Sequence, residues 1–273
     1  AIFAVGAVGQ NNAHNIWVGR LTLKGALVWE DIVGESGEDF ATHVVRTNEG
    51  DIVVSGLLQP DANSSLWLRR YSQDGNPSWT TTWPLDTGIK SYPLGPGLAL
   101  TMDSVVIGFS AFKPGLTPEF LLEVPLSGGD PSWMLEIPET SGNILGLVAG
   151  TRGDILTTST HLFENLMVRR ITKGGDVSWA SDKCVGKIGR GVTVDSSGDI
   201  IVIGDGPGMN GQNIRLCRLG PDGSLLWGKD IDGGVGDDLG YSVAIDSKNR
   251  IVAGGLMLVG ENNRDAWVAV FSP

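Results

Sequence analysis

The stretch KGALVWE at residues 24–30 holds a glycine and, four residues on, a tryptophan. The same pair returns as Gly75/Trp79, Gly129/Trp133, Gly175/Trp179 and Gly223/Trp227. The tryptophans at 29, 79, 133, 179 and 227 are therefore spaced by 50, 54, 46 and 48 residues. A landmark repeated at that period marks a chain built from copies of one supersecondary unit.

The unit can be read from its other landmarks. DIVVSG (51–56), DSVVIG (103–108) and DIIVIG (199–204) are apolar runs that open on Asp and close on Gly; DILTTS (154–159), RIVAGG (250–255) and AIFAVG (1–6) are looser copies. An apolar segment precedes most of them (ATHVVR, GLVAG, GVTVD, SVAID), and another follows (NIWVGRL, SLWLRRY, EFLLEVP, LMVRRI, NIRLCRL, DAWVAVF). Each repeat thus reads as strand A, turn, strand B, loop, strand C, turn, strand D, with the tryptophan opening strand D. The A–B turns (TNEGD, DSSGD) and C–D turns (SQDGN, GPDGS) have the Asp/Asn/Gly chemistry of tight hairpins.

Four short antiparallel strands per ~50 residues is the signature of a β-propeller blade. The count is six blades in one domain spanning 1–273. The first blade holds strands B–D and the last A–C, so the expected fold is all-β, a six-bladed propeller with three-stranded first and last blades. A piece of a longer array is the other reading. Glycine in the C–D turn supplies positive φ cheaply, and the tryptophan is expected to be mostly buried between blades.

GGVGDDLGYSVAIDSKNRIVAGG (233–255), followed by DAWVAVFSP, resembles the repeat of bacterial extracellular β-propeller proteins. GESGEDFATHVV (34–45) is a second copy of its opening and IRLCRLGPDGSLLW (214–227) a copy of its close. The Gly-x-x-x-Trp ending is also similar to the docking turn of quinoprotein propellers. The resemblance implies an extracellular or cell-surface location and no single activity, since propellers serve many functions.

The net charge of −11 opposes a nucleic-acid partner, which needs a basic face. No apolar run reaches the ~18 residues of a membrane-inserted helix. The chain lacks the lipase elbow, zinc-protease, phosphate-loop and calcium-loop motifs, so no cofactor or metal is expected. GDGPGMNG (204–211) joins strand B to strand C and reads as a loop, not as a phosphate cradle. Cys184 and Cys217 fall in different repeats and in strands of different rank, which argues against a disulfide. Trp17, Trp67 and Trp267 share one strand-C column with Leu121, Met167 and Arg215, and so read as core.

Candidate site residues emerge where the repeats depart from themselves. Strand A is the innermost strand, and His43 stands there in a column with Gly146, Gly191 and Ser242. One residue earlier come Thr42, Leu145, Arg190 and Tyr241. Before strand A, Asp39, Lys187 and Asp238 occupy equivalent positions. Asp39, His43, Lys187, Arg190, Asp238 and Tyr241 are therefore the expected ligand-binding set at one end of a central channel. The plainer reading gives the acidic residues to turn capping. The functional expectation is a binding module for a glycan or protein. The alternative is a hydrolase or lyase using His43 as base beside Arg190 or Lys187.

Overall fold

The computed structural model describes the whole chain except residues 11–12, 35–36, 59–63, 86–96, 111–117, 138–141, 162–164, 210, 235, 261–262 and 273. It is all-β, with no helix among the described residues. Among the described residues, twenty-two strands form six separate antiparallel sheets, three-stranded in the first and last blades and four-stranded in the other four. The fold is that of a six-bladed β-propeller.

Backbone contacts divide the chain into two compact units, Ala1–Glu136 and Ile137–Pro273. The first unit holds blade 1, with β1 (Ile2–Gln10), β2 (Ala13–Leu21) and β3 (Leu27–Val33). Blade 2 follows, with β4 (Phe40–Arg46), β5 (Ile52–Leu58), β6 (Ser65–Tyr71) and β7 (Pro77–Pro84). Blade 3 has β8 (Gly97–Leu100), β9 (Ser104–Ser110), β10 (Glu119–Pro125) and β11 (Trp133–Ile137). In the second unit, blade 4 has β12 (Ile144–Ala149), β13 (Ile155–His161), β14 (Asn165–Ile171) and β15 (Val177–Ser181). Blade 5 has β16 (Ile188–Val194), β17 (Ile200–Pro207), β18 (Gln212–Leu219) and β19 (Leu225–Ile231). Blade 6 has β20 (Leu239–Ile245), β21 (Ile251–Gly260) and β22 (Asn263–Phe271).

Alternation along the strands gives each blade two apolar faces, and each junction within a unit has its own core. Ile16 and Val18 of blade 1 meet Ile52, Val54 and Trp67 of blade 2. Leu66 and Leu68 of blade 2 meet Ile107 and Leu122 of blade 3. Leu156 and Val168 of blade 4 meet Val202 and Leu219 of blade 5, and Ile203 and Leu216 meet Val243 and Ala253 of blade 6.

The spacing of glycine and tryptophan has a cause that a single repeat does not display. Within each unit, Trp29, Trp79 and Trp179 dock on a turn glycine of the next blade. A Cβ on Gly75 (φ +86) would lie 2.8 Å from the Trp29 ring, and one on Gly223 (φ +82) 3.0 Å from Trp179. The indole N–H of Trp29 donates to the Gln73 carbonyl at 2.9 Å, and that of Trp79 to the Leu126 carbonyl at 2.9 Å. In blade 3 the receiving residue is Gly128, not Gly129. A Cβ on Gly128 would meet Trp79 at 2.9 Å, whereas Gly129 faces open space.

All five tryptophans are mostly buried, as expected, but none of them fully. Strand D is an edge strand of its sheet, so where a ring rests on the neighbouring turn, as at Trp29, Trp79 and Trp179, its other side meets solvent. Trp79→Ala is accordingly expected to cost about 2 kcal/mol, below the ~3–5 kcal/mol of a fully buried tryptophan. Denaturant unfolding checks this.

The docking is reinforced by arginines. Arg20, Arg70, Arg170 and Arg218 stand directly across the C–D ladder from Trp29, Trp79, Trp179 and Trp227. Arg70 donates to the same Leu126 carbonyl as Trp79, and Arg20 to the same Gln73 carbonyl as Trp29. In three of the four the charge is balanced by the Asp that opens strand B: Asp51 holds Arg70 at 3.0 Å, Asp199 holds Arg218 at 2.9 Å, and Asp154 holds Arg170.

Cys184 and Cys217 form a disulfide, contrary to the sequence-based expectation. Cys184 lies in the connection from blade 4 to blade 5, outside any strand. That connection passes over β18, so rank within the repeat does not govern the pairing. Both residues are fully buried in the core between blades 4 and 5.

Candidate functional site

Strand A carries a β-bulge at one register in blades 2, 4, 5 and 6. The ladder slips between Ala41 and His43, Ile144 and Gly146, Gly189 and Gly191, and Gly240 and Ser242. The extra residues are Thr42, Leu145, Arg190 and Tyr241. A bulge leaves one residue out of the ladder and re-aims its side chain. The next position is tight in the second unit: a Cβ on Gly191 would come within 3.3 Å of the Val243 nitrogen. Adjacent inner strands therefore run close together, and neighbouring bulge residues meet.

Arg190 of blade 5 and Tyr241 of blade 6 are such a pair. The guanidinium carbon sits 5.0 Å from the centre of the Tyr241 ring, a cation–π distance. The Arg190 fork also grips Asp205, with Nη2 2.7 Å from Oδ2 and Nε 3.1 Å from Oδ1. Asp205 is fully buried and faces Ile188 across the ladder. In blades 2 and 6 that register belongs to Leu57 and Leu256, facing Phe40 and Leu239. Arg190 and Asp205 thus depart from the repeat together. The Tyr241 ring is 48% exposed, so the stack reaches the surface.

Lys187 joins this cluster through its backbone, donating its N–H to the Asp205 carbonyl at 2.7 Å, while its side chain is exposed. Asp238 does structural work instead. Its carboxylate is fully buried and accepts the N–H groups of Gly233 and, at 2.8 Å, Leu258. Its own N–H donates to Gln212 of blade 5 at 2.7 Å. No surface is left on it for a ligand.

Asp39 and His43 lie in the first unit. Asp39 is buried and donates its N–H to the His14 carbonyl at 2.8 Å. Its carboxylate sits over Gly34, where a Cβ would be 2.3 Å from Oδ2, much as that of Asp238 sits over Gly233. His43 is half-buried, and its Nδ1 is buried without a hydrogen-bond partner. Burial lowers its pKa from the ordinary 6.5. A folded-state pKa below the unfolded one means fewer protons bound in the folded state. The stability given by the neutral ring is therefore complete above pH 6.5 and is lost as pH falls through the lowered value. Between about pH 7 and about pH 5, wild type should lose more stability than His43→Gln. Paired denaturant titrations check this.

Of the strand-C tryptophans, only Trp67 is fully buried. Trp17 and Trp267 are half-buried. GDGPGMNG closes the hairpin between β17 and β18, its Asn210 lying outside the described residues.

No family model matches the chain, and no curated protein matches its sequence. Solved structures do. The periplasmic gluconolactonase of Pseudomonas aeruginosa is similar over 92% of this chain and 74% of its own, with a TM-score of 0.61 and 12% identity. Virginiamycin B lyase from Staphylococcus aureus is similar over 96% and 84%, with a TM-score of 0.53 and 12% identity. Sqt1 of Chaetomium thermophilum, solved with the N-terminus of a ribosomal protein bound, is similar over 98% and 66%, with a TM-score of 0.60 and 15% identity. At these identities the likeness establishes the β-propeller fold alone, a fold that here serves two enzymes and one binding protein.

Proposed function

We infer that the chain is an extracellular or cell-surface binding module whose ligand is an acidic glycan, a sugar bearing a carboxylate. The carrying observation is the exposed Tyr241 ring stacked on Arg190, with the exposed Lys187 just before the strand that carries Arg190. An exposed aromatic face suits a sugar ring; Asp205 compensates the Arg190 charge, so the exposed Lys187 ammonium is the cation on offer to a carboxylate. On a chain of net charge −11, a cationic and aromatic spot is a departure that favours anion capture over general adhesion. The buried disulfide supports the oxidising location.

A screen of acidic and neutral oligosaccharides tests the reading, with Lys187→Ala and Tyr241→Ala as fold-neutral probes of exposed side chains. Wild type should retain acidic sugars, and each variant should lose at least about tenfold in affinity, the size of one charged or stacking contact. Unchanged affinity in both variants, or no acidic sugar retained, would refute it.

One observation favours a second reading, a hydrolase or lyase. Burial lowers the His43 pKa and so favours the neutral ring, the form a general base needs. Turnover of an ester or lactone that His43→Gln abolishes would establish it.

A further inference from the structure

We propose that the disulfide-tethered connection between blades 4 and 5 is the positioning element of the acid-binding site, with Cys184 and Cys217 setting the place of Lys187. The proposal rests on the reading of Lys187 and Tyr241 as a sugar site. It starts from a difference among the connections that lead into strand A. Asp39, Lys187 and Asp238 hold the same position in three of them, just before β4, β16 and β20. Asp39 and Asp238 are buried, and each carboxylate lies over a glycine of its own connection, Gly34 and Gly233. Each fastens its connection from within. The Lys187 side chain is exposed and does not serve in this way.

Blade 5 has no place for the carboxylate anchor of blade 6. Asp238 accepts the N–H of Leu258 at 2.8 Å, two residues beyond Leu256, the ladder partner of Leu239. In blade 5 the ladder partner of Ile188 is Asp205, and two residues beyond it stands Pro207, which has no N–H to donate.

The disulfide holds the connection instead. Residues 182–187 run from β15 to β16, and of these only Cys184 and Gly186 are buried. Cys184 is bonded to Cys217 of β18, in the core between blades 4 and 5. From that fixed point the chain reaches Lys187 in three residues. On the way the Gly186 carbonyl accepts the N–H of Leu166 at 2.8 Å, and the Lys187 N–H donates to the Asp205 carbonyl at 2.7 Å. Asp205 is the residue that the Arg190 fork grips, and Arg190 stacks on Tyr241. The seat is tight, since a Cβ on Gly186 would come within 2.8 Å of the Asp205 carbonyl oxygen. A covalent anchor in the core thus does what a buried carboxylate does at Asp39 and Asp238. It leaves the position before strand A free to carry a cation at the surface.

The test compares a uronic-acid oligosaccharide with its neutral methyl ester on wild type and on Cys184→Ala with Cys217→Ala. Wild type should favour the acid by at least about tenfold, and the variant should bind both as weakly as wild type binds the ester. A merely structural bond would lower both affinities or neither. Adding Lys187→Ala to the variant should change nothing further, because the ammonium is already out of place. Without sugar, the Lys187 and Leu166 amides should exchange faster in the variant by at least about tenfold, with the Asp238 amide changing least. Gly186→Ala displaces the same connection with the bond intact and should also lose the preference for the acid, which keeps the test open where the double variant does not fold. A full preference for the acid in either variant overturns the proposal. So do Lys187 and Leu166 amides as protected in both variants as in wild type. A wild type with no preference for the acid defeats the sugar reading alone, and the amides then decide on the tether.

Discussion

Arg190→Ala is expected to lower the unfolding free energy by about 3 kcal/mol, because it leaves the fully buried Asp205 carboxylate without its partner. The guanidinium is itself partly exposed, which places the cost at the low end for a broken buried pair. Replacing both members should recover most of the loss. Blades 2 and 6 put Leu57 and Leu256 where Asp205 stands, and blade 2 has Thr42 where Arg190 stands, so Arg190→Thr with Asp205→Leu makes blade 5 like its siblings. Stability close to wild type in the double variant, with sugar binding lost, would show that the ion pair is kept for recognition and not for the fold. Equal destabilisation in single and double variants would show the reverse. Urea melts of the three proteins decide this.

Removing the Cys184–Cys217 disulfide is expected to cost about 3–4 kcal/mol. The bond closes a loop over a sequence separation of 33 residues, and the chain-entropy relation gives that figure for the restriction of the unfolded state. Cys184→Ala with Cys217→Ala should show it as a lower denaturation midpoint, and reduction of the wild type should reproduce it. The loss should concentrate in the second unit, since both cysteines belong to the core between blades 4 and 5. Hydrogen exchange that loosens blades 4 and 5 first would confirm that localisation, and uniform loosening of blades 1–3 would contradict it.

The period, the turn chemistry and the alternation of apolar residues make the strands legible in the sequence, because each is a local property of the chain. The twenty-two strands and the short first and last blades follow from them. What the sequence hides lies between repeats. The partner of Trp29, Trp79 and Trp179 is a glycine of the next repeat, about fifty residues away, so no single motif contains the contact. The arginines opposite the tryptophans are visible as a column, yet only the C–D register shows why they stand there. The disulfide runs against the repeat logic because the connection between blades follows no repeat rule.

The site divides in the same way. Arg190 and Tyr241 are conspicuous as bulky residues in a strand of small ones, and the bulge explains why that column tolerates them. Asp205 escapes the sequence reading although it leaves a signal, the one charged residue in a register that otherwise holds Ala7, Leu57, Phe109, Thr160 and Leu256. Asp238 resembles a ligand residue because an acidic pair reads the same whether it binds a cation or caps a turn. Burial of its carboxylate separates the two.

The central claim is that a carboxylate-bearing sugar binds beside Tyr241 and Lys187. Calorimetric titration of one uronic-acid oligosaccharide against its neutral methyl ester, on the same wild-type protein, tests it most directly. The stack predicts that esterification weakens binding by at least about tenfold, the cost of one charge-assisted contact, and that added salt weakens the acid far more than the ester. Equal affinity for acid and ester, unaffected by salt, would contradict it.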